Sequence, residues 1–265
     1  VKRGNFRLAA RINKQLIPVS ADIGEVIGLA GADTHESPVI HGQNLATTAL
    51  GQSGIWSPSG VFLYPSAASG LEIVSADVDD TAAGAGARTV LICYLDATFN
   101  VKTETITLNG QTAVPTVALD IYRILYMEVM TAGATGSNEG AITLRVLAGG
   151  ATREQIPVGF NMSTSCRTTV PVGKVFKLAE WMVGHQELTG SRYRLRSTWN
   201  RNAKTVNPGI FKVISTAELL ATFFIEKFGT PTCFPAGTDI DVISDNPAAT
   251  TFAASAQLHG TFLDA

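Results

Sequence analysis

The chain is short of charge. Of its 265 residues only 16% are Asp, Glu, Lys or Arg, and the net charge is −2, where an ordinary soluble domain carries about 25% charged residues. So little charge, with abundant Gly, Ala, Thr and Ser, suits β-structure and extensive protein contacts better than a freely diffusing enzyme. The near-neutral balance offers no field for nucleic acid, which is not expected as a partner. Cysteine is scarce too: Cys93, Cys166 and Cys233 are far apart, odd in number and without a Cys-x-x-Cys pair, which excludes a closed disulfide framework and leaves buried thiols in a reducing compartment. His35, His41, His185 and His259 show no metal-ligand spacing; the closest approach is His35-Glu36 with His41, which loop polarity explains as well. Gly-x-Ser-x-Gly is missing, and Gly84-Ala85-Gly86 lacks the Gly-Lys-Ser/Thr of a phosphate loop. No catalytic residue, cofactor or metal is therefore expected. No apolar run approaches the roughly 20 residues of a membrane helix, and the basic first residues carry no apolar leader segment.

What is present is β-pattern. Residues 89–95 form an apolar run, 96–100 a turn and 102–108 a polar–apolar alternation, and Asn109-Gly110 is a strong hairpin signal. Further strands are expected at 55–56 and 61–64 around a Ser-Pro-Ser-Gly turn, and at 70–76, 141–147, 162–170, 174–183, 209–215, 219–228, 238–244 and 256–263. Residues 120–130 read as a long buried strand, because their apolar positions leave no continuous helical stripe; a short helix is allowed only at 216–225. Residues 192–199 alternate, with Tyr193, Leu195 and Ser197 on one side and Arg192, Arg194 and Arg196 on the other. The fold class is all-β: two jelly-roll-like antiparallel β-sandwich domains, 55–150 and 151–265, with an extended N-terminal arm over 1–54. The arm has a basic start and room for two short strands. Residues 114–129 echo 170–183, and 71–97 echo 239–265; duplication and the similar use of similar strands both account for this.

Three groups of residues are candidates for contact. Arg192, Arg194 and Arg196 make a positive stripe on one strand face, followed by Arg201; a solvated strand face explains it, as does pairing with carboxylates of a neighbouring subunit, with acidic glycans or with packaged nucleic acid. Asp77, Asp79 and Asp80 cluster at a strand end, where they repel edge pairing or, less simply, hold Ca²⁺. Trp56, Trp181 and Trp199, with Tyr64, are the aromatic residues on which a sugar would stack, although core packing accounts for most of them more simply.

Residues 79–114, "DDTAAGAGARTVLICYLDATFNVKTETITLNGQTAV", resemble a segment of virion structural proteins of tailed bacteriophages. Residues 159–181 and 233–245 are similar to later segments of such proteins, so the resemblance spans 60–265. It implies a β-rich particle component without catalysis: a capsid-decorating or cementing protein, or a minor capsid protein. It further implies a virion location after assembly in the host cytoplasm. The partners would be the chain itself, as a homotrimer, and the major capsid protein, with no membrane. The alternative is a tail- or fibre-associated protein whose β-sandwich binds host glycans. A glycan depolymerase finds no catalytic constellation to rest on.

Overall fold

A computed structural model describes residues 39–47, 51–185, 190–219, 223–246 and 251–265. In chain order the strands are β1 (Val39–Asn44), β2 (Gly51–Gly54), β3 (Leu71–Ser75), β4 (Ala87–Leu95), β5 (Val101–Thr107), β6 (Val114–Pro115), β7 (Arg123–Ala132), β8 (Ile142–Val146) and β9 (Thr152–Ile156). The second half adds β10 (Arg167–Thr169), β11 (Lys174–His185), β12 (Ser191–Ser197), β13 (Trp199–Asn200), β14 (Thr205–Val206), β15 (Lys212–Leu219), β16 (Phe223–Pro235), β17 (Asp239–Asn246) and β18 (Ala254–Asp264). No helix occurs among the described residues, and every strand pair is antiparallel.

The strands form two sheets around each of two apolar cores. One core lies between the sheet β1-β18-β11-β16 and the sheet β10-β17-β12-β15, to which β2 adds beside β17. It is built on Phe176, Trp181, Tyr193, Leu195, Phe234 and Leu258. The other lies between β6-β3-β8-β9 and β5-β4-β7, around Ile73, Ile92, Met127, Leu144 and Ile156. Each large apolar side chain so buried contributes roughly 1.5–3 kcal/mol relative to exposure. The path is nested: residues 39–56 belong with 165–264, and the chain leaves that core after β2, builds the other from β3 to β9, and returns at β10.

Several expectations hold. β7 is extended as expected, but it is not buried on both faces: Arg123 and Met127 are buried while Tyr126 and Met130 are exposed. β12 alternates with Tyr193, Leu195 and Ser197 buried. β4 and β5 form a hairpin, and its turn is fixed by Asp96, which accepts from Thr98 and Asn100. The Thr98 hydroxyl and the backbone N–H groups of Asn100 and Thr98 hold the Asp96 carboxyl well below the usual range, against the opposing effect of burial.

Other expectations are corrected. The helix allowed at 216–225 is strand on both described sides, since Lys212–Leu219 ladders onto β12 and Phe223–Pro235 onto β11. Asn109-Gly110 does not close a hairpin. Gly110 turns with φ of 57°, and the chain crosses from the β4 sheet to the β3 sheet, because Asn109 bridges Thr81 instead of a neighbouring strand. Residues 61–64 make no ladder and form an aromatic connector. Of 162–170 only Arg167–Thr169 is strand. Cys93 and Cys166 are buried as expected, but Cys233 is exposed because it falls on the outward side of β16. Of the expected arm, residues 1–38 and the His35-Glu36 pair lie outside the described residues; β1 and β2 are integral to the sheets.

Candidate functional site

The seam between the two cores is made of charge and aromatic rings. Arg123 opens β7 in one core and Asp239 opens β17 in the other. Their side chains meet through two hydrogen bonds, Nε to Oδ1 at 2.9 Å and Nη2 to Oδ2 at 3.0 Å, with side-chain exposures of 5% and 2%. Thr169 donates to the same carboxylate at 2.6 Å. A second pair repeats the pattern in reverse: Glu154 on β9 accepts from Arg167 on β10 at 2.8 Å and from Ser165 at 2.6 Å. Each buried ion pair thus takes one partner from each core. Breaking such a pair strands a charge without water, which costs more than the intact pair contributes.

Rings sandwich these guanidinium groups. Trp56, Phe62, Tyr64 and Phe211 form a chain of ring contacts at 5.1, 4.7 and 5.0 Å. Arg167 lies 3.8 Å from the Phe62 ring centre, Arg123 lies 4.0 Å from that of Tyr122, and Arg196 lies 4.6 Å from that of Phe211. Tyr64 also donates to Asp241 at 3.3 Å. Burial first, then the charges of Asp241 and Asp239, push its hydroxyl well up, so it stays a neutral donor. Asp241 is itself raised by burial, against the opposing pull of Arg196. The seam encloses a cavity of about 20 Å³ lined by Arg123, Arg153, Arg167, Tyr64 and Thr168, and a second of about 10 Å³ beside Trp56 and Asp241. Each has room for about one water, which is far too small for a sugar or nucleotide.

The expected contact residues fall in different places. Asp80 is buried and accepts four hydrogen bonds: from Ser75 Oγ at 2.5 Å, Ala87 N at 2.7 Å, Glu139 N at 3.0 Å and Gly140 N at 2.9 Å. Asp77 accepts from Asp79 N at 2.8 Å, and Asp79 points to solvent. Residue 86 must be glycine here, because a Cβ would overlap Asp80 Oδ1. The arginine row is paired within the chain. Arg196 holds Asp241 at 2.9 and 2.8 Å, Arg194 bonds Asp245, and Arg192 bonds Glu218 at 3.0 Å. Arg201 is exposed on a turn apart from them. Trp56 is buried against Phe62 and Arg167, and Trp181 is fully buried with its Nε1 donating to Glu226 at 2.7 Å, so neither presents a ring face to a sugar; Trp199 is half-buried against the first core. Among the described residues no group of three His, Cys, Asp or Glu is placed to hold a metal.

Among the described residues the longest strand at the end of a sheet is β16. β16 has 13 residues and borders its sheet, with β11 on one side and no strand on the other among the described residues. Phe223 and Ile225 stand out from its first half at 57% and 45% exposure, while Lys227 and Pro231 blunt the second half. A second apolar area gathers on β7, where Tyr126 and Met130 are exposed on the same side as Glu128, and Met162 bridges Glu128 from the neighbouring segment. Sequence reasoning missed Arg123, Arg167, Glu154, Asp239 and Asp241. The available signal was a charged residue beside an aromatic one inside an apolar run, as in Tyr122-Arg123.

No family model matches the chain, and no curated protein matches it. Among solved structures, that of the infectious bursal disease virus Gt strain is similar at 9% identity and a TM-score of 0.25, covering 91% of this chain and 77% of the other. Particles of T=1 symmetry derived from infectious bursal virus give 10% identity and a TM-score of 0.26, over 87% of this chain and 70% of the other. Likeness at that level shows neither fold nor family.

Proposed function

We propose that the chain is a non-enzymatic structural component of a virion, built as two β-sandwich units of the jelly-roll kind and assembling as a homo-oligomer. The resemblance of residues 79–114 to bacteriophage particle proteins favours the tailed phages. The role is capsid decoration or cementing, or that of a minor capsid protein, with the major capsid protein as the second partner. The observation that carries this reading is the open edge of β16 with its exposed Phe223 and Ile225, since such an edge is a template for pairing with another chain. Two cores joined by buried ion pairs suit a part that acts by shape. Arg192, Arg201 and Asp79 are exposed charges available for contact with a neighbouring subunit, where charges set register more than affinity. The test is reconstitution. Particles assembled without the chain take it up from solution at a fixed ratio to the major capsid protein and resist it afterwards; particles that bind none would contradict the proposal.

A further inference from the structure

Charge does not balance around the larger seam cavity. Arg123 is matched by Asp239, Arg167 by Glu154 and, beyond the lining, Arg196 by Asp241. Arg153 also lines the cavity, yet it has no carboxylate partner among the described residues; its one hydrogen bond there is Nη1 to the Leu63 carbonyl at 2.8 Å. A guanidinium has five N–H donors, so most of those on Arg153 remain for another acceptor. We infer that this cavity is a binding site for one small inorganic anion of chloride size, held by Arg153 with Arg123 and Arg167 behind it.

Size and chemistry agree. The space of about 20 Å³ admits a single water-sized guest. Ser69 and Thr168 also line the cavity, and each carries a hydroxyl. Burial, then the charges of Arg123 and Arg167, lower the pKa of Arg153, the response of a cation placed among cations. An anion relieves that repulsion; Arg123 and Arg167 lie against the Tyr64 and Phe62 rings, while Arg153 is half-buried, so the site opens toward solvent on the Arg153 side. Because Arg123 and Arg167 each reach across the seam, the bound anion would fasten the two cores together.

The experiment is thermal unfolding of the full chain in sodium chloride, sodium bromide and sodium gluconate at equal ionic strength. Chloride and bromide raise Tm saturably by about 2–4 °C over gluconate, which is too large to enter. Arg153→Gln removes the difference without lowering Tm in gluconate by more than a similar amount. A crystal grown in bromide shows an anomalous peak within hydrogen-bond reach of Arg153, and this readout decides the matter if the variant fails to fold. Equal Tm in all three salts, the same chloride response in Arg153→Gln, or a bromide-free cavity would overturn the inference.

Discussion

Four donors converge on the Asp80 carboxylate from three separate stretches, at residues 75, 87 and 139–140. Around it, Gly110 donates its N–H to the Asp80 carbonyl at 2.8 Å and Gly86 to that of Asp79 at 3.0 Å. The stretch that resembles particle proteins is therefore a plug that ties the loop before β4 to the turn after β5, and Gly86 is there to let the Asp80 carboxylate approach backbone. Asp80→Asn turns one acceptor oxygen into a donor facing donors and costs about 2–4 kcal/mol. Gly86→Ala acts on the same lattice, so the double variant loses less than the sum by about 1 kcal/mol or more in urea unfolding; strict additivity would show the two to be independent. The sequence made Asp77, Asp79 and Asp80 look alike. Only the fold, by bringing residues 139 and 140 to Asp80, separates the inward carboxylate from the outward one.

At the scale of elements, β16 is where stability and association part company. Its inward residues Thr232 and Phe234 are buried, while Phe223 and Ile225 face out on the half that Lys227 and Pro231 do not protect. Replacing both, Phe223→Lys with Ile225→Lys, leaves Tm within a few degrees because neither side chain fills a core, but abolishes self-association in size-exclusion chromatography. An unchanged oligomer would move the interface to the β7 area around Met130 and Met162. Strand existence was largely legible in the sequence, since alternation is a local property: β4, β5, β7, β11, β12 and β18 all lie where period and β-branching put them. Pairing was not. Asn109-Gly110 carries the same signal whether the chain turns back on its own sheet or crosses to another, and the choice is made by Thr81, distant in sequence. The helix allowed at 216–225 failed for a related reason, because the β12 and β11 edges waiting for those residues are non-local.

On the scale of the whole molecule, the chain is two cores joined by two buried ion pairs. Arg123 and Asp239 are read in the sequence as one more strand charge each; their roles come from a seam between residues 116 positions apart. Arg123→Ala leaves Asp239 buried beside Thr169 without its cation, at a cost of about 3–5 kcal/mol. Calorimetry should then resolve one transition into two, one for the 71–156 core and one for the rest; a single transition at lower temperature would mean that the cores are coupled elsewhere. In the proposed role this low-charge body with an open apolar edge assembles with itself. Sedimentation equilibrium of the full chain at micromolar concentration, in low and high salt, tests this most directly. The expected result is a salt-resistant species of a small multiple of 27.9 kDa, a trimer by preference. A single species of 27.9 kDa under both conditions would contradict it.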